Sequence, residues 1–128
     1  MHLLHGIDSI EIDRLKRFLD HRRRLARLFT PQEMTHADTF SEKRQMEWFA
    51  GRFAAKEAAI KALYSTERRT SIRYLDIEVT PEKSGAPRLT LHKNALDVAT
   101  SLCVSSITLS ITHNHSHAIA SVIMLCKA

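Results

Sequence analysis

Two residues in the middle of this chain have the types and spacing needed to act on a phosphate group. Glu57 and Lys61 stand four positions apart, so on a helix they share one face. They lie in the stretch 50–63, which is rich in small and apolar residues, where an ionised side chain needs a partner or a metal ion. A solvated ion pair on a helix surface is the alternative interpretation of the same spacing.

A third acidic residue, Asp8, follows Gly6 and Ile7 at the end of a short apolar segment that predicts a strand over 3–8. Aspartate at such a position could cap a turn or a helix, or it could present a metal ligand. Mg²⁺ prefers one or two carboxylates together with phosphate oxygens and water. Asp8 and Glu57 would supply such a pair if the strand lay against the helix, although their spacing does not establish that contact.

A histidine pattern near the C-terminus suggests a different kind of site. His113, His115 and His117 alternate with other residues, and on a straight strand all three would point to one face. Asn114 and Ser116 favour a turn instead, which would separate the imidazoles. We expect one of the three to be functional; a histidine metal site, which would bind Zn²⁺ tightly, is kept as an alternative.

The element that carries Glu57 is predicted to be a long helix. Thr39 and Glu42 have the spacing of a capping box, and we expect the helix to run over about 41–64. A similar box at Thr30–Glu33, with Pro31 at the first helical position, predicts a short helix before it. The small residues of the long helix would let other backbones approach closely, so we expect it to be central to the fold.

A further helix is predicted from about Glu11. Its apolar residues recur at helical spacing and would pack inward; they are Ile12, Leu15 and Leu19, with Phe18 beside them. Basic residues recur on the opposite face and form what we call the basic stripe: Arg14, Arg17, His21 and Arg24. One face of this helix is therefore expected to pack and the other to meet an anionic partner or solvent.

The remainder of the chain has strand patterning. Apolar residues alternate with polar ones in three segments: Leu75–Val79, Leu89–Leu91 and Ile107–Ile111. The segment Ala118–Leu125 predicts an apolar strand. A turn is predicted at 83–87 and a helix at 94–103. The fold class expected is α+β, a small and mostly antiparallel sheet packed on one long central helix.

Composition limits the classes of protein to which the chain can belong. With 128 residues, 44% of them hydrophobic and 26% charged, it is expected to form a single globular domain over 1–128. It contains no apolar run of about 20 residues and its first residues do not resemble a signal peptide, so no membrane partner and a cytoplasmic location are expected. The two cysteines lack the spacing of a metal site.

Charge favours an anionic partner without choosing one. Lys and Arg number 19 against 14 Asp and Glu, a net charge of +5, and nucleic acid, a nucleotide cofactor and an acidic protein all fit. Aromatic residues are 6% and are not interleaved with the basic stripe, so a platform for stacking nucleic-acid bases is not evident. A nucleic-acid-binding domain is an alternative supported by charge alone.

Five segments, in order along the chain, resemble motifs of the holo-acyl carrier protein synthase family, the small class of 4′-phosphopantetheinyl transferases. They are Gly6–Ile12, Leu28–Thr30 with Glu33, Ala50–Leu63, Gly85–Pro87 and Leu109–His113. The long-helix block, AGRFAAKEAAIKAL, is the most specific of them. The chain departs from the family at Tyr64-Ser65-Thr66, where a glycine-rich turn is usual, and at Thr112, where serine is usual.

The resemblance implies a reaction and roles for three residues. The chain would transfer the 4′-phosphopantetheine arm of coenzyme A to a serine of apo-acyl carrier protein, in fatty acid biosynthesis, and release adenosine 3′,5′-bisphosphate. Asp8 and Glu57 would hold Mg²⁺ at the pyrophosphate while the serine hydroxyl attacks the β-phosphate. Glu57, directly or through a metal-bound water, would take the serine proton, and Lys61 would stabilise the leaving group.

The resemblance also implies contacts with the cofactor and with partners. Cofactor contacts are expected at Arg52, Lys56, Lys61, Gly85, Pro87, Ser110 and His113. An acidic acyl carrier protein would dock on Arg14, Arg17 and Arg24, and neither nucleic acid nor membrane is expected as a partner. The family works as a homotrimer with sites between subunits, so the same assembly is expected for this chain.

Overall fold

The computed structural model describes residues 1–18, 22–64 and 71–127. Its helices are α1 (Ile12–Phe18), α2 (Arg22–Leu28), α3 (Pro31–Ala37), α4 (Glu42–Leu63) and α5 (Lys93–Ser101). Its strands are β1 (His2–Glu11), β2 (Ile77–Pro81), β3 (Pro87–Leu91), β4 (Val104–His113) and β5 (His117–Cys126), and a 3-10 turn, Tyr74–Asp76, precedes β2. This is the α+β class expected from the sequence.

Three of the strands form an antiparallel sheet in the order β1-β5-β4. The register places Gly6 opposite Val122 and Asp8 opposite Ala120. Side chains alternate between the two faces of a strand, and in β5 every second side chain, from Ala118 to Cys126, is buried. One face of the sheet therefore belongs to the core, and Asp8 of β1 lies on that face.

Helix α4 covers the buried face of this sheet. Its alanines at 54, 58, 59 and 62 are fully buried, and their small side chains allow close packing. At Gly6 of β1 the approach is so close that a Cβ atom would lie 1.8 Å from the carbonyl oxygen of Ala58. The long central helix expected from the sequence is thus confirmed. Within the described ranges, no helix combines the length and apolarity that crossing a membrane would need.

The other two strands, β2 and β3, form an antiparallel hairpin. Gly85 in its turn has φ +89°, in the left-handed region where glycine carries no steric penalty. Leu75 was expected in the first strand of this hairpin but lies in the 3-10 turn before it. The carboxylate of Asp76 accepts a hydrogen bond from the backbone N–H of Arg73 (3.2 Å). This bond closes the 3-10 turn, so β2 begins only at Ile77.

One of the two predicted capping boxes is confirmed and the other is wrong. In α3 the Thr30 hydroxyl accepts from the backbone N–H of Glu33 (3.2 Å), and the Glu33 carboxylate accepts from that of Thr30 (2.8 Å). Helix α4 has Ser41 as its N-cap, without a side-chain capping bond. The Thr39 hydroxyl donates to the carbonyl of His36 instead (2.7 Å), so it closes the end of α3.

The basic helix predicted from about Glu11 is described as two helices, α1 and α2, on either side of residues 19–21. Ile12 and Leu15 are buried as expected, whereas Phe18 is 51% exposed. Leu19 and His21, to which the prediction also refers, lie outside the described residues. Of the arginines in the basic stripe, Arg14 and Arg17 lie on α1 and Arg24 lies on α2.

Candidate active site

Strand β1 and helix α4 bring a predicted metal ligand, Asp8, into direct contact with a predicted catalytic residue, Lys61. The Lys61 ammonium donates to Asp8 Oδ1 (2.8 Å) and to the carbonyl of Ile7 (3.1 Å). Asp8 lies within β1 rather than at its end, because the strand continues to Glu11. Lys61 is therefore paired with Asp8, and β1 lies against α4, which the sequence alone left open.

Glu57 lies one turn before Lys61 on α4 and is held from another element. The hydroxyl of Tyr74, in the 3-10 turn, donates to Glu57 Oε1 (2.7 Å). Burial first, then this hydrogen bond and the charges of Glu57 and Asp8, raise the pKa of Tyr74 to about 12. The hydroxyl is therefore protonated and donates a hydrogen bond at neutral pH. The negative charges of Glu57 and Asp8 both contribute to the raised pKa of Tyr74, so both carboxylates lie near its hydroxyl.

The donor set of this cluster fits a magnesium ion shared with a phosphate. Asp8 and Glu57 each have one carboxylate oxygen, Oδ2 and Oε2, that forms no hydrogen bond within the described part of the chain. Mg²⁺ takes hard oxygen ligands and commonly binds through one or two carboxylates plus phosphate oxygens. Asp8 is largely shielded, with 16% of its side chain exposed, whereas Lys61 is 53% exposed and can meet a ligand.

A second candidate region is a pocket of about 470 Å³ between α3, α4 and the β2–β3 turn. Three predicted nucleotide contacts, Arg52, Gly85 and His113, line it together with Arg44 and Trp48. The Arg52 guanidinium lies over the Trp48 ring, 4.6 Å from its centroid. The two guanidinium groups outnumber the one carboxylate of the lining, that of Glu47, and so favour an anionic ligand.

Several polar atoms at this pocket have no protein partner. His36 Nδ1, Trp48 Nε1 and Arg52 Nε are buried without a hydrogen bond among the described residues, although such atoms are paired in most proteins. Desolvation lowers the pKa of Arg52 to about 10, against the opposing charge of Glu33, so the guanidinium stays cationic at neutral pH. The pocket therefore offers positive charge and unused hydrogen-bonding groups to a ligand.

Lys56 does not belong to this pocket, so its expected contact with the nucleotide is wrong. Its side chain is 0% exposed, and its ammonium donates to Glu33 Oε1 (2.8 Å) and to the carbonyls of Tyr74 (3.0 Å) and Ile77. Burial lowers the pKa of Lys56, and Glu33 opposes that shift. With all three of its hydrogens occupied, Lys56 ties α4 to α3 and β2.

The profile of the 4′-phosphopantetheinyl transferase superfamily matches residues 5–121 of the sequence. The chain belongs to this superfamily. A relative from Moorella thermoacetica, named holo-[acyl-carrier-protein] synthase, is 46% identical over 116 residues, which are 90% of this chain and 88% of the relative.

Solved structures of the superfamily share the fold. A Bacillus anthracis holo-(acyl-carrier-protein) synthase in complex with CoA (3′,5′-ADP) is 33% identical, with a TM-score of 0.79 over 97% of this chain and 96% of that one. A Chronobacterium ammoniagenes ACPS–CoA complex is 28% identical, with a TM-score of 0.87 over 100% of both chains. The family resemblance and the fold class expected from the motifs are confirmed.

Two of the residues expected to contact the cofactor, Pro87 and Ser110, do not line the pocket that contains Arg52. Pro87, at the start of β3, lines a groove between β3 and β4. Ser110 is exposed on β4, and its neighbour Ile111 packs toward Gly51 of α4, so the Ser110 side chain lies on the opposite face of the sheet. A single chain does not gather the whole predicted set of cofactor contacts.

The three histidines do not converge. His113 lies 3.9 Å from Glu47 at the Arg52 pocket, and His115 and His117 line two other pockets. Asn114 Oδ1 accepts from the backbone N–H groups of residues 116 and 117 (2.9 Å each) and so forms the expected turn. Across the described residues no group of three metal-binding side chains occurs, and the histidine metal site gains no support.

The arginines expected to meet a carrier protein have different surroundings. Arg14 lines a pocket of about 470 Å³ with Phe18, Phe53 and Ser9, the residue that follows Asp8. Arg17 is exposed. Arg24 folds over the Phe18 ring, 5.3 Å from its centroid, and donates to the Phe18 carbonyl (3.0 Å). Of these three arginines, Arg14 is the nearest to Asp8 along the chain.

Residues that sequence reasoning missed are Arg44, Trp48 and His36 at the pocket and Tyr74 at Glu57. A signal was present for two of them, because Arg44, Trp48 and Arg52 follow one another at four-residue spacing on α4 and so share a face. Tyr74 gave no such signal, because it lies 17 positions from Glu57 and their contact depends on tertiary packing.

Proposed function

We propose that this chain transfers the 4′-phosphopantetheine group of coenzyme A to a serine of an apo-acyl carrier protein and so primes carriers for fatty acid biosynthesis. The observation that carries the proposal is the cluster of Asp8, Glu57 and Lys61, two carboxylates and a cation on adjoining elements. Superfamily membership across residues 5–121 supports it, and we assign 1–128 to one transferase domain.

The direct test is incubation of the purified protein with apo-carrier protein, coenzyme A and Mg²⁺, followed by intact-mass analysis of the carrier. We expect the carrier to gain the mass of one phosphopantetheine group, and we expect this gain to disappear when the acceptor serine is replaced by alanine or when EDTA is present. A carrier that keeps its apo mass at high enzyme concentration would contradict the proposal.

In the reaction, Asp8 and Glu57 would hold Mg²⁺ through their open oxygens. When bound, the metal supplies charge neutralisation at the pyrophosphate. Glu57 accepts the proton of the carrier serine as the serine Oγ–phosphorus bond forms and the bond between phosphorus and the bridging oxygen breaks. That oxygen leaves on adenosine 3′,5′-bisphosphate, and Lys61 stabilises its growing negative charge.

Replacement of Lys61 by alanine is expected to lower kcat more than it raises the KM for coenzyme A. Charge on the leaving phosphate grows in the transition state, so a cation beside it acts mainly there. Removing a half-exposed ammonium should leave the fold intact. Steady-state kinetics with coenzyme A as the varied substrate measures both constants, and Lys43→Ala, at an exposed lysine of the same helix, is the control. An increase confined to KM would show that Lys61 only binds the substrate.

We assign the nucleotide to the pocket formed by Arg44, Arg52, Trp48 and His113. Its guanidinium groups suit phosphate, and the unpaired Nε of Arg52 and Nε1 of Trp48 are donors that a ligand would use. The Bacillus anthracis relative was solved with CoA (3′,5′-ADP), which supports a nucleotide of this kind as the ligand.

A complete site would require a second copy of the chain. Arg52 and Glu57 are five positions apart on α4, which at about 100° per residue places them about 140° apart around the helix. The nucleotide pocket and the carboxylates therefore face different directions. The outer face of the β1-β5-β4 sheet exposes Leu3 (64%), Ile7 (57%) and Ile119 (40%), an apolar surface that association would cover.

We infer a homotrimer in which the pocket of one subunit meets the carboxylates of the next. Sedimentation equilibrium is expected to give three times the chain mass, and Ile7→Glu, which places a charge on the exposed sheet face, is expected to dissociate the assembly. A monomeric wild-type protein with full transferase activity would contradict a shared site.

A cytoplasmic location belongs to the same proposal. Cys103 and Cys126 are free thiols, and paired cysteines are the rule only in oxidising compartments. Coenzyme A and carrier proteins would meet the enzyme in the same compartment.

Reversal of Arg14 to glutamate is expected to raise the KM for carrier protein roughly tenfold at low salt and to leave the KM for coenzyme A unchanged. Carrier proteins are acidic, so the substitution replaces attraction with repulsion during encounter and docking. The exposed guanidinium is screened over about 8–10 Å at physiological ionic strength, so added salt should narrow the difference between variant and wild type.

Kinetics at several salt concentrations measures this effect, with Arg23→Glu on α2 as a matched charge reversal at another exposed arginine. Equal responses of the two variants would show that net charge matters and that Arg14 has no specific role. The absence of a response to either variant or to salt would place the docking surface elsewhere.

A further inference from the structure

We propose that Tyr74 is a positioning residue for the transfer reaction, which fixes the Glu57 carboxylate so that its second oxygen faces the metal and the reacting hydroxyl. The inference rests on the proposed transferase function. Its basis is the hydrogen bond of 2.7 Å from the Tyr74 hydroxyl to Glu57 Oε1, which leaves Oε2 as the open oxygen. Neutral second-layer groups of this kind orient metal-binding carboxylates.

The backbone that carries Tyr74 is held firmly. The buried ammonium of Lys56 donates to the Tyr74 carbonyl (3.0 Å), and Lys56 is itself anchored on Glu33 (2.8 Å). On the other side Asp76 caps the same turn, through bonds to the backbone N–H (3.2 Å) and guanidinium (2.9 Å) of Arg73. The backbone on both sides of Tyr74 is therefore fixed by hydrogen bonds, and this fixes the position from which the hydroxyl extends.

The Tyr74 ring is fixed as well. It packs against the Phe53 ring, with centroids 5.1 Å apart, and Phe53 lies one helical turn before Glu57 on α4. A ring held by Phe53 and a backbone held by Lys56 leave the phenol little freedom to rotate away from the carboxylate. Glutamate has three side-chain torsions, so without this donor Glu57 would sample several orientations.

The support of the Tyr74 turn also gives a structural role to Lys56, which is fully buried beside the candidate active site but whose ammonium bonds to neither Asp8 nor Glu57. Its three bonds join Glu33 of α3, the Tyr74 turn and β2 to the helix that bears Glu57. The next residue in sequence, Glu57, accepts the hydrogen bond from the Tyr74 hydroxyl. Consecutive residues of α4 thus hold the two ends of Tyr74.

The test is the variant Tyr74→Phe, which removes the hydroxyl and keeps the ring on Phe53. We expect the half-saturating Mg²⁺ concentration for transfer to rise about tenfold. We expect the dissociation constant for Mn²⁺, measured from the free-Mn²⁺ EPR signal in the presence of coenzyme A, to rise by a similar factor. Affinity for adenosine 3′,5′-bisphosphate without metal should not change, because the nucleotide pocket lies on another face of α4.

The matched control is Thr30→Ala, which removes a hydroxyl at the cap of α3 and should lower Tm without changing either metal constant. Metal constants for Tyr74→Phe equal to those of the wild type would overturn the inference. So would a change in Tm alone, as expected for the control, or a change in nucleotide affinity alone. A wild-type protein that neither modifies the carrier nor binds Mn²⁺ would instead overturn the transferase proposal, and this inference with it.

Discussion

Replacement of Asp8 or Glu57 by alanine is expected to lower kcat/KM for phosphopantetheine transfer by about 10³-fold or more. Each variant removes one of the two carboxylates that would hold the metal, and Glu57→Ala also removes the proton acceptor. The fold should survive, since Asp8 loses only its pair with a half-exposed lysine and such pairs contribute about 1 kcal/mol or less. Glu57 loses only its bond from the Tyr74 hydroxyl.

The measurement is transfer kinetics over a wide range of Mg²⁺ concentrations, with thermal unfolding of each variant in parallel. Asp97→Ala on α5 is the matched control, because it removes an exposed carboxylate far along the chain from both residues. Near-normal turnover by either site variant at moderate Mg²⁺ would rule out the metal assignment. Loss of activity together with a large fall in Tm would show that the carboxylate supports the fold instead.

Sequence reasoning succeeded where the determinants are local. The alternation of Ile107, Leu109 and Ile111 predicts β4, and the Thr30 box predicts the start of α3, because both depend on neighbours a few positions away. The box at Thr39 failed for a related reason. The Thr39 hydroxyl could bond to the first turn of α4 or to the last turn of α3, and it donates to the carbonyl of His36 in α3.

The site was predictable in its residue types but not in its contacts. Asp8, Glu57 and Lys61 were named from spacing and family resemblance, yet the pairing of Lys61 with Asp8 depends on how β1 crosses α4. Lys56 shows the limit most clearly. It lies beside Glu57 in the block that resembles the family motif, and the resemblance implied a contact with the nucleotide. The tertiary structure instead pairs it with Glu33 in the core.

The nucleotide pocket illustrates a second limit. Arg44, Trp48 and Arg52 share a helical face, so the sequence predicts that two arginines and a tryptophan lie together on α4. What the sequence does not contain is the approach of Gly85 and His113, from a hairpin turn and the end of β4, to that face. Long-range approach of this kind depends on the packing of the sheet, and Gly6 is the residue through which that packing can be tested.

Gly6→Ala is expected to lower the free energy of unfolding by about 3 kcal/mol or more, at the upper end of the range for overpacked positions. The added Cβ would lie 1.8 Å from the carbonyl oxygen and 2.8 Å from the carbonyl carbon of Ala58. Both are backbone atoms of α4, which cannot rotate aside as a side chain can. Relief therefore requires β1 to move away from α4, and that movement would carry Asp8 away from Lys61 and Glu57.

The matched control is Gly51→Ala, also a buried glycine facing another element. Its Cβ would lie 2.9 Å from Ile111 Cγ2, the end of a side chain that can shift, and alanine in a helix interior gains about 1 kcal/mol over glycine. The two effects nearly cancel, so the control should remain close to wild type in urea unfolding. If Gly6→Ala were equally stable and active, β1 could not lie directly on α4, and the arrangement that joins Asp8 to Lys61 would have to be abandoned.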